Sequence, residues 1–356
     1  MPPLRIGIIG AGQIANLHVE AYKKLTTAKI YAVCDAREDI AIAKALEWSA
    51  ERVYTDYEEL LADPNVDAVE ILTPHHLHDR IAVAAALAGK HIHLAKPIAI
   101  SLRGARNVVE AVEQAGVVLQ ISEPGLFYPP LVEAGAFLDA GEIGTPISIR
   151  MKATIGSPEG GWAVKPESWL WRLDPGRMGG GPLLFDMGYH KLAAALFLMG
   201  PVERVGCWTS RTEIHPGYFL DAPTLLTWKH FGPNQFGSLE LVYAPQLYVR
   251  SDTYPHIEFI EVTGSRGIIW VNRGAAGVLD AAPLQMLRDG RMFSFNEIED
   301  DWKAAFRNSI NHFIRCIKGE AKPRLSGQEA TQALRFTLAA REAARHGGAV
   351  AVGEGD

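Results

Sequence analysis

Residues 4–15 of this chain read LRIGIIGAGQIA. The run from Leu4 to Ile9 has the length and apolar composition of a buried strand, and a Gly-x-Gly-x-x-Ala pattern follows it directly. Gly10 permits a tight turn, Gly12 lets the backbone approach a ligand at a helix N-terminus, and Ala15 allows helix and strand to pack closely. The stretch predicts a dinucleotide-binding strand–turn–helix unit. A plain tight turn in an α/β sheet is the alternative.

The second predicted strand ends at Asp35, about twenty residues after the glycine turn. An acid at this place takes both ribose hydroxyls of NAD and repels the 2′-phosphate of NADP. Arg37 follows two residues later and could stack on adenine or meet a phosphate, so NAD is predicted and NADP stays open. The cofactor-binding residues predicted here are Gly10, Gly12, Gln13, Ile14, Asp35 and Arg37.

Strand and helix signals alternate through the first third of the chain, which indicates a doubly wound parallel Rossmann sheet. The predicted strands are 4–9, 29–34, 68–72, 91–94 and 117–121, and the predicted helices between them are 13–25, 37–48, 56–62, 76–89 and 102–115. The sequence Glu123-Pro124-Gly125 breaks this alternation. We therefore predict a dinucleotide-binding domain over residues 1–122 and a substrate-binding and oligomerisation domain over residues 123–356.

The second domain is rich in strand signals with few crossover helices. Its predicted strands are 146–154, 204–212, 224–229, 237–243, 257–263 and 267–271, and its predicted helices follow Asp186 and span 302–317 and 328–345. This pattern predicts a C-terminal α/β domain with a large open sheet, mostly antiparallel or mixed. A free sheet face can pair with a second subunit, so we predict a homodimer or homotetramer through the C-terminal sheet.

Size and composition exclude several classes of protein. A chain of 356 residues favours two domains, and a formal net charge of -6 provides no basic patch for nucleic acid. The three cysteines stand far apart, which argues against a disulfide framework or a zinc site and favours a reducing compartment. The N-terminus lacks the pattern of an export signal, and no apolar run is long enough to span a bilayer. We expect a cytoplasmic protein without a membrane segment.

Residues 179–190 read GGGPLLFDMGYH and hold the strongest chemical signal. Asp186 and His190 lie four residues apart, a spacing that on an α-helix places both side chains on one face, about 6 Å apart. A carboxylate and an imidazole in this arrangement form an acid/base pair that can act on one substrate. Histidine suits reversible proton transfer near neutral pH.

Two further motifs follow predicted strands at the sheet edge where a dinucleotide would cross. Residues 73–78 read TPHHLH, and Lys96-Pro97 follows the next strand. Three histidines invite a metal hypothesis, but no carboxylate or cysteine joins them at ligand spacing, so no metal is predicted. Lys96 projects toward the cofactor crevice, where an ammonium group would stabilise developing charge; a surface lysine is the alternative. The predicted cofactor contacts here are Thr73, Pro74, His75, His78, Lys96 and Pro97.

The segment before the three glycines offers groups that recognise sugars. Tryptophan rings stack on sugar faces, although tryptophan is more often a core residue, and arginine and lysine bind hydroxyl or carboxylate oxygens. The predicted substrate-binding residues are Lys96, Glu123, Lys165, Trp169, Arg172, Asp186 and His190.

Taken together, these motifs resemble the Gfo/Idh/MocA oxidoreductase family over nearly the whole chain. The resemblance implies an N-terminal Rossmann domain, a C-terminal α/β domain with an open sheet, and redox chemistry on a sugar-like hydroxyl beside NAD(P). It also implies catalytic roles for Lys96, Asp186 and His190. Two departures stand out: Ala95 replaces the glutamate of the family's Glu-Lys-Pro, and 122–125 replaces an arginine-containing segment of many relatives.

Three hypotheses follow from this resemblance. The first is an NAD(P)-dependent dehydrogenase that moves a hydride between nicotinamide and a secondary hydroxyl of a sugar, sugar acid or cyclic polyol. The second keeps the same site but makes the oxidation transient, so that elimination cleaves a glycosidic bond. The third is a non-catalytic NAD-binding regulator.

Overall fold

The computed structural model describes residues 2–159, 170–251, 254–274 and 281–353. The α-helices are α1 (Ala15–Tyr22), α2 (Glu38–Trp48), α3 (Tyr57–Ala62), α4 (His78–Leu87), α5 (Leu102–Ala115), α6 (Pro129–Asp139), α7 (Pro175–Met178), α8 (Tyr189–Met199), α9 (Trp302–Ile317) and α10 (Gly327–His346). Short 3₁₀ segments occur at His75–Leu77, Pro124–Phe127 and Leu170–Leu173, and Leu183–Gly188 is a π-helical turn. None of the described helices has the length and apolar character needed to cross a bilayer.

A six-stranded parallel sheet forms the centre of the N-terminal part. Its strands are β1 (Leu4–Ile9), β2 (Ala28–Cys34), β3 (Arg52–Tyr54), β4 (Ala68–Ile71), β5 (His91–Ala95) and β6 (Leu119–Ser122), in the order β3-β2-β1-β4-β5-β6. The predicted doubly wound Rossmann sheet is confirmed. The short edge strand β3 was not predicted, because three residues are too few to show an apolar run or an alternating apolar pattern.

A nine-stranded mixed sheet forms the second architecture. The remaining strands are β7 (Pro146–Glu159), β8 (Val202–Thr209), β9 (Thr212–His215), β10 (Tyr218–Leu220), β11 (Thr224–His230), β12 (Phe236–Arg250), β13 (His256–Gly264), β14 (Gly267–Gly274), β15 (Leu284–Arg288), β16 (Arg291–Phe295) and β17 (Val350–Ala351). The large sheet has the order β16-β15-β14-β13-β7-β12-β11-β8-β17, while β9 and β10 form a separate ribbon. The β7–β12 pair is parallel and its other pairs are antiparallel. The predicted large mixed sheet is confirmed.

The contacts divide the chain into two units whose bounds differ from the predicted domains. The first unit is Met1–Phe127 with Gly176–Gly179 and Trp302–Leu334, and the second comprises Tyr128–Pro175, Gly180–Asp301 and Arg335–Asp356. The predicted boundary after residue 122 assigned the whole C-terminal region to the second domain. In the structure, Ile310 and Phe313 of α9 belong to the same core as Ile6 and Ile8 of β1, so α9 is part of the first unit.

A buried polar row crosses three strands of the first unit. Glu70 of β4 lies opposite His93 of β5, which lies opposite Gln120 of β6, and all three side chains are fully buried. Helix α1 contributes His18 and Tyr22 to this row, and α9 contributes Ser309. The buried polar groups of β5 and β6 need hydrogen-bond partners, and Ser309 of α9 supplies one, which explains in part why α9 packs on this sheet.

Candidate active site

The glycine turn after β1 has the conformation that the sequence predicts. Gly10 has a φ of +95°, a conformation that favours glycine, and a Cβ there would lie 2.8 Å from the backbone of Leu72. Backbone conformation and lack of space therefore both exclude a side chain. A Cβ at Gly12 would meet nothing within 4 Å, so the protein itself does not require glycine there. The open space beside the first turn of α1 is instead suited to close approach by a ligand. Gln13 and Ile14 are half-buried in the turn that leads into α1.

Asp35 connects the glycine turn after β1 with the turn after β2. Its Oδ2 accepts a hydrogen bond from the Ala11 N–H at 3.0 Å, and its Oδ1 accepts one from the Arg37 N–H at 3.1 Å. The Arg37 side chain is 60% exposed and its Nε lies 3.7 Å from Asp35 Oδ1. The structure therefore brings the predicted ribose-binding acid to the glycine turn and leaves Arg37 at the surface.

His75 and His78, which were predicted to bind the cofactor, are buried and contact backbone carbonyls of the protein. His78 is fully buried, with Nδ1 2.7 Å from the Pro97 carbonyl oxygen and Nε2 2.8 Å from that of Thr73. Burial lowers the pKa of His78, although the two carbonyls favour the charged ring. Its ring thus holds together the chain segments that follow β4 and β5. The buried His75 places Nδ1 3.0 Å from the Met178 carbonyl oxygen.

The ends of β4 and β6 present two buried hydroxyls without a hydrogen bond inside the described protein, Thr73 Oγ1 and Ser122 Oγ. Buried polar atoms almost always have partners, so such a pair at the carboxyl edge of a parallel sheet fits a bound polar ligand. These hydroxyls, the open space at Gly12 and Asp35 together fit a dinucleotide. Thr73 was predicted, whereas Ser122 was not, because nothing in the sequence shows that its hydroxyl lacks a partner.

Lys96 and Pro97 follow β5, next to the end of β6. Ala95 lies opposite Ser122, the Lys96 N–H donates to the Ser122 carbonyl oxygen at 3.3 Å, and the Lys96–Pro97 peptide bond is cis. Alanine at position 95 offers no carboxylate to a ligand. The Lys96 side chain is half-buried. Pro74, the other proline predicted to contact the cofactor, directly precedes the 3₁₀ turn of residues 75–77.

The Asp186 motif begins with a π-helical turn, Leu183–Gly188, and becomes α-helical at Tyr189. The prediction of a regular α-helix from Asp186 to His190 is therefore corrected. A π-helix has a wider turn than an α-helix, and such turns frequently occur at functional sites. His190 lies in the first turn of α8 and is half-buried.

Asp186 is paired with the predicted substrate-binding residue Arg172. Arg172 Nε lies 3.0 Å from Asp186 Oδ2, and both side chains are about a quarter exposed, at 26% and 27%. The guanidinium also lies 4.6 Å from the centre of the Trp171 ring. The structure thus brings together a carboxylate and a guanidinium that the sequence singled out separately.

Two acidic residues that the sequence did not single out hold this segment. Asp221 accepts hydrogen bonds from the N–H groups of Leu183 and Leu184, and Glu258 of β13 forms a buried ion pair with Lys191 of α8. Both acids are distant in sequence from their partners, so no local spacing could reveal them. Glu123 is fully buried and its Oε1 accepts from the Gly125 N–H at 3.0 Å. Lys165 and Trp169 lie outside the described residues.

The polar row of the first unit contains the one group of described residues with metal-ligand character. His18, Glu70 and His93 have ligand atoms within 4.8 Å of one another. Glu70 already accepts from Tyr22 at 2.5 Å and contacts Nδ1 of both imidazoles at 2.8 Å, while His93 Nε2 lies 3.1 Å from Ser309 Oγ. These hydrogen bonds account for both carboxylate oxygens, and we interpret the group as a hydrogen-bonded network.

Comparison with known proteins matches both parts of the chain to one family. Residues 4–123 match the oxidoreductase family's NAD-binding Rossmann fold, and residues 136–352 match its C-terminal alpha/beta domain. The myo-inositol 2-dehydrogenase of Thermotoga maritima is 27% identical over 343 residues, covering 95% of this chain and 96% of the relative. The scyllo-inositol 2-dehydrogenase (NAD(+)) of Bacillus subtilis is 27% identical over 354 residues, covering 97% and 95%.

Solved structures share the fold of the whole chain. A levoglucosan dehydrogenase in complex with NADH and levoglucosan superposes with a TM-score of 0.82 at 22% identity, covering 99% of this chain and 100% of that one. At this identity the likeness shows the fold alone. The two family models, by contrast, cover nearly all of the sequence, and the expected NAD-binding Rossmann domain is confirmed. The chain therefore belongs to the Gfo/Idh/MocA oxidoreductase family.

Proposed function

We propose that this protein is an NAD(P)-dependent dehydrogenase that acts on a secondary hydroxyl of a sugar, sugar acid or cyclic polyol. The observation that carries the proposal is the presence of Lys96, Asp186 and His190, to which the family resemblance assigns catalytic roles, in a chain whose two parts both match the family. Relatives that align over nearly the full length are named as inositol and D-apiose dehydrogenases. A polar, ring-shaped substrate also suits a site with a charged Arg172–Asp186 pair.

Each catalytic side chain has a role that its chemistry supports. We assign His190 as the general base that removes the hydroxyl proton, and Lys96 as the ammonium group that hydrogen-bonds the same oxygen and stabilises its developing charge. Asp186, fixed by Arg172, orients the substrate. Bound NAD supplies the hydride acceptor, so the substrate loses one proton and one hydride and becomes a ketone.

The cofactor would be held at the carboxyl ends of the strands of the six-stranded parallel sheet. The turn between β1 and α1 offers open space at Gly12 for the pyrophosphate at the helix N-terminus, and Asp35 offers a carboxylate for the ribose. Asp35 favours NAD, while the exposed Arg37 keeps NADP as an alternative. Titration of both cofactors measures this preference directly.

Replacing His190 tests the proposal. We expect His190→Ala to leave NAD affinity nearly unchanged and to lower turnover by at least about 10²-fold, the usual size of a general-base contribution. Turnover is measured as NADH formation with a panel of cyclic polyols, aldoses and sugar acids. The exposed His346 gives a matched control, and His346→Ala should behave as the wild type.

The same panel separates the competing hypotheses. NADH formation by the wild type, lost in His190→Ala, supports the dehydrogenase. Glycoside cleavage that needs NAD but accumulates no NADH would instead indicate transient oxidation with elimination. NAD binding with no turnover on any substrate would favour a regulator, and wild-type turnover in His190→Ala would overturn the role of His190.

We further propose that the protein forms a homodimer or homotetramer through its large sheet. Trp208 of β8 and Leu225 of β11 are direct cross-strand neighbours on one face, and they are 60% and 45% exposed. Apolar side chains gathered on one sheet face are a recurrent feature of subunit interfaces. Sedimentation analysis of the purified protein gives the oligomeric state, and a monomer at micromolar concentration would exclude this assembly.

We also propose a cytoplasmic location. Cys34, Cys207 and Cys316 are all unpaired and buried, as expected for a protein that does not depend on disulfides. NAD and NADH, the coenzymes of the proposed reaction, would have to be supplied by the same compartment. Fractionation of cells that express the tagged protein tests this location.

A further inference from the structure

We propose that Asp221 is a positioning residue for the reaction: its carboxylate fixes the π-helical turn that carries Asp186 and leads into His190. This inference rests on the proposed function for the roles of Asp186 and His190. It adds a residue that belongs neither to the motif nor to the helix it holds, 31 residues beyond His190 in the sequence. The Asp221 carboxylate and the π-helical turn that it binds both belong to the second unit.

The carboxylate of Asp221 binds the beginning of the turn with both oxygens. Oδ1 accepts from the Leu183 N–H at 2.7 Å, and Oδ2 accepts from the Leu184 N–H at 2.9 Å. The first N–H groups of a helical turn have no partner within the helix, and an acid that accepts two of them also places negative charge where the helix dipole favours it. Asp221 therefore performs the role of a helix cap from a separate part of the chain.

The glycine run before the motif is shaped to admit this carboxylate. A Cβ at Gly181 would overlap Oδ2 of Asp221, so the acid could not approach the turn past any larger residue. Gly180 has a related constraint, because a Cβ there would lie 2.9 Å from the ring of Phe185. Gly179 has a φ of +100°, which favours glycine. The three glycines thus serve the entry into the π-helical turn.

Asp221 is itself held in place by its own surroundings. The Thr224 hydroxyl donates to the Asp221 carbonyl oxygen at 2.7 Å and lies 2.6 Å from the Thr209 hydroxyl, and Thr212 Oγ1 donates to the Ala222 carbonyl oxygen at 2.7 Å. Hydroxyl groups on strands β8, β9 and β11 therefore fix the backbone at Asp221 and Ala222. Because the backbone of Asp221 is fixed in this way, its carboxylate holds the π-helical turn in a defined position.

The consequence concerns catalysis because Asp186 is only two residues beyond Leu184. The Asp186 side chain is fixed by Arg172, and α8 is fixed at Lys191 by Glu258, but the backbone between Gly181 and Asp186 is held by Asp221. Loss of the carboxylate frees two N–H groups and lets the turn relax toward ordinary α-helical geometry. Asp186 and His190 would then change their relative placement, and small misplacements of catalytic groups are costly.

Steady-state and binding measurements test the positioning role. We expect Asp221→Asn to lower kcat by about 10- to 100-fold. Its KM should change much less and its NAD affinity should stay at the wild-type value. The amide keeps one acceptor oxygen, so Asp221→Ala should lose more turnover than Asp221→Asn. The exposed Asp139 of α6 supplies the control, Asp139→Asn, which should match the wild type.

A double-mutant cycle tests the contact without any activity measurement. Gly181→Ala introduces a methyl group into the space of Asp221 Oδ2, so it should lower the thermal midpoint sharply in the wild-type background. In Asp221→Ala the carboxylate is gone and only the Cβ remains, 2.9 Å from the new methyl, so the same methyl should cost clearly less. Coupling of this sign is expected only if residues 181 and 221 touch as the structure shows.

The two readouts separate failure of this inference from failure of the proposed function. Absence of turnover in the wild type would defeat the proposed function, while the cycle would still report the contact. Additive effects in the cycle would overturn the contact. A folded Asp221→Ala with wild-type kcat, or an Asp221→Asn that does not fold, would overturn the positioning role and leave Asp221 as a structural residue.

Discussion

At the scale of single residues, the sequence predicted cofactor-binding positions at the sheet edge, but it did not show what each side chain contacts within the protein. Thr73, His75 and His78 were all predicted to contact the cofactor. Both nitrogens of His78 face backbone carbonyls, whereas the Thr73 hydroxyl has no partner among the described residues. A motif gives the residue types near a ligand, but the direction of each side chain depends on carbonyls that are distant in sequence, 19 residues away for His78 and Pro97 and 103 residues away for His75 and Met178.

Thr73 therefore allows a prediction with two opposite effects. Valine has the same shape but no hydroxyl, so Thr73→Val should leave the unfolding midpoint of the free protein unchanged or slightly raised, because a buried unpartnered hydroxyl is removed. NAD affinity should fall by about 2- to 10-fold, the value of one hydrogen bond. Calorimetric titration and thermal unfolding measure the two effects.

The exposed Thr55 gives the matched control, and Thr55→Val should change neither quantity. A Thr73→Val variant that is clearly destabilised without NAD would mean that the hydroxyl has a partner within the protein. Unchanged NAD affinity would show that the hydroxyl does not serve the cofactor.

At the scale of elements, the pattern of residues 179–190 predicted a helix but not its kind. The π-helical turn depends on Asp221, which lies 33 residues beyond Gly188. Apolar periodicity distinguishes a helix from a strand, yet a single wider turn changes too few positions to be recognised. The strands of the parallel sheet other than β3 were easier to predict, because they are short, mostly apolar segments bounded by turn residues.

The buried row on β4, β5 and β6 gives a prediction at the same scale. Burial alone would raise the pKa of Glu70, but the adjacent His93 and His18 outweigh it and hold the pKa well below its usual range. Glu70→Gln removes one acceptor and leaves buried donors without partners. We expect it to lower the free energy of unfolding of the first unit by about 1–3 kcal/mol at pH 7.

The pH dependence of this effect has a definite sign. A carboxyl whose pKa is lowered by folding contributes stability above its unfolded pKa, about 4.3 for glutamate, and loses that contribution as pH falls below it. The difference between wild type and Glu70→Gln should therefore be full at pH 6–7 and shrink below about pH 4. Urea unfolding from pH 3 to 7 measures it, with the exposed Glu110→Gln as the control. A pH-independent difference would refute the electrostatic account.

At the scale of the whole molecule, the sequence predicted both sheets, while the packing of the C-terminal helices differs from the predicted division into domains. The spacing of apolar residues in α9 correctly indicated a helix with one buried face. It contains no information on which sheet covers that face. The structure places Phe313 against His93 of β5, with ring centroids 5.0 Å apart, while Phe336 of α10 packs edge-on against Trp228 of β11 at 5.5 Å.

These two phenylalanines make the division of the molecule testable. Both are fully buried, and truncation of either to alanine should cost about 3–5 kcal/mol, but in different units. Phe313→Ala should lower hydrogen-exchange protection in β1, β4 and β5 and weaken NAD binding, since the cofactor stabilises only the folded first unit. Phe336→Ala should lower protection in β8 and β11 and leave NAD affinity near the wild-type value. If Phe336→Ala weakened NAD binding as much as Phe313→Ala, the C-terminal helices would not be divided between two units as their packing indicates.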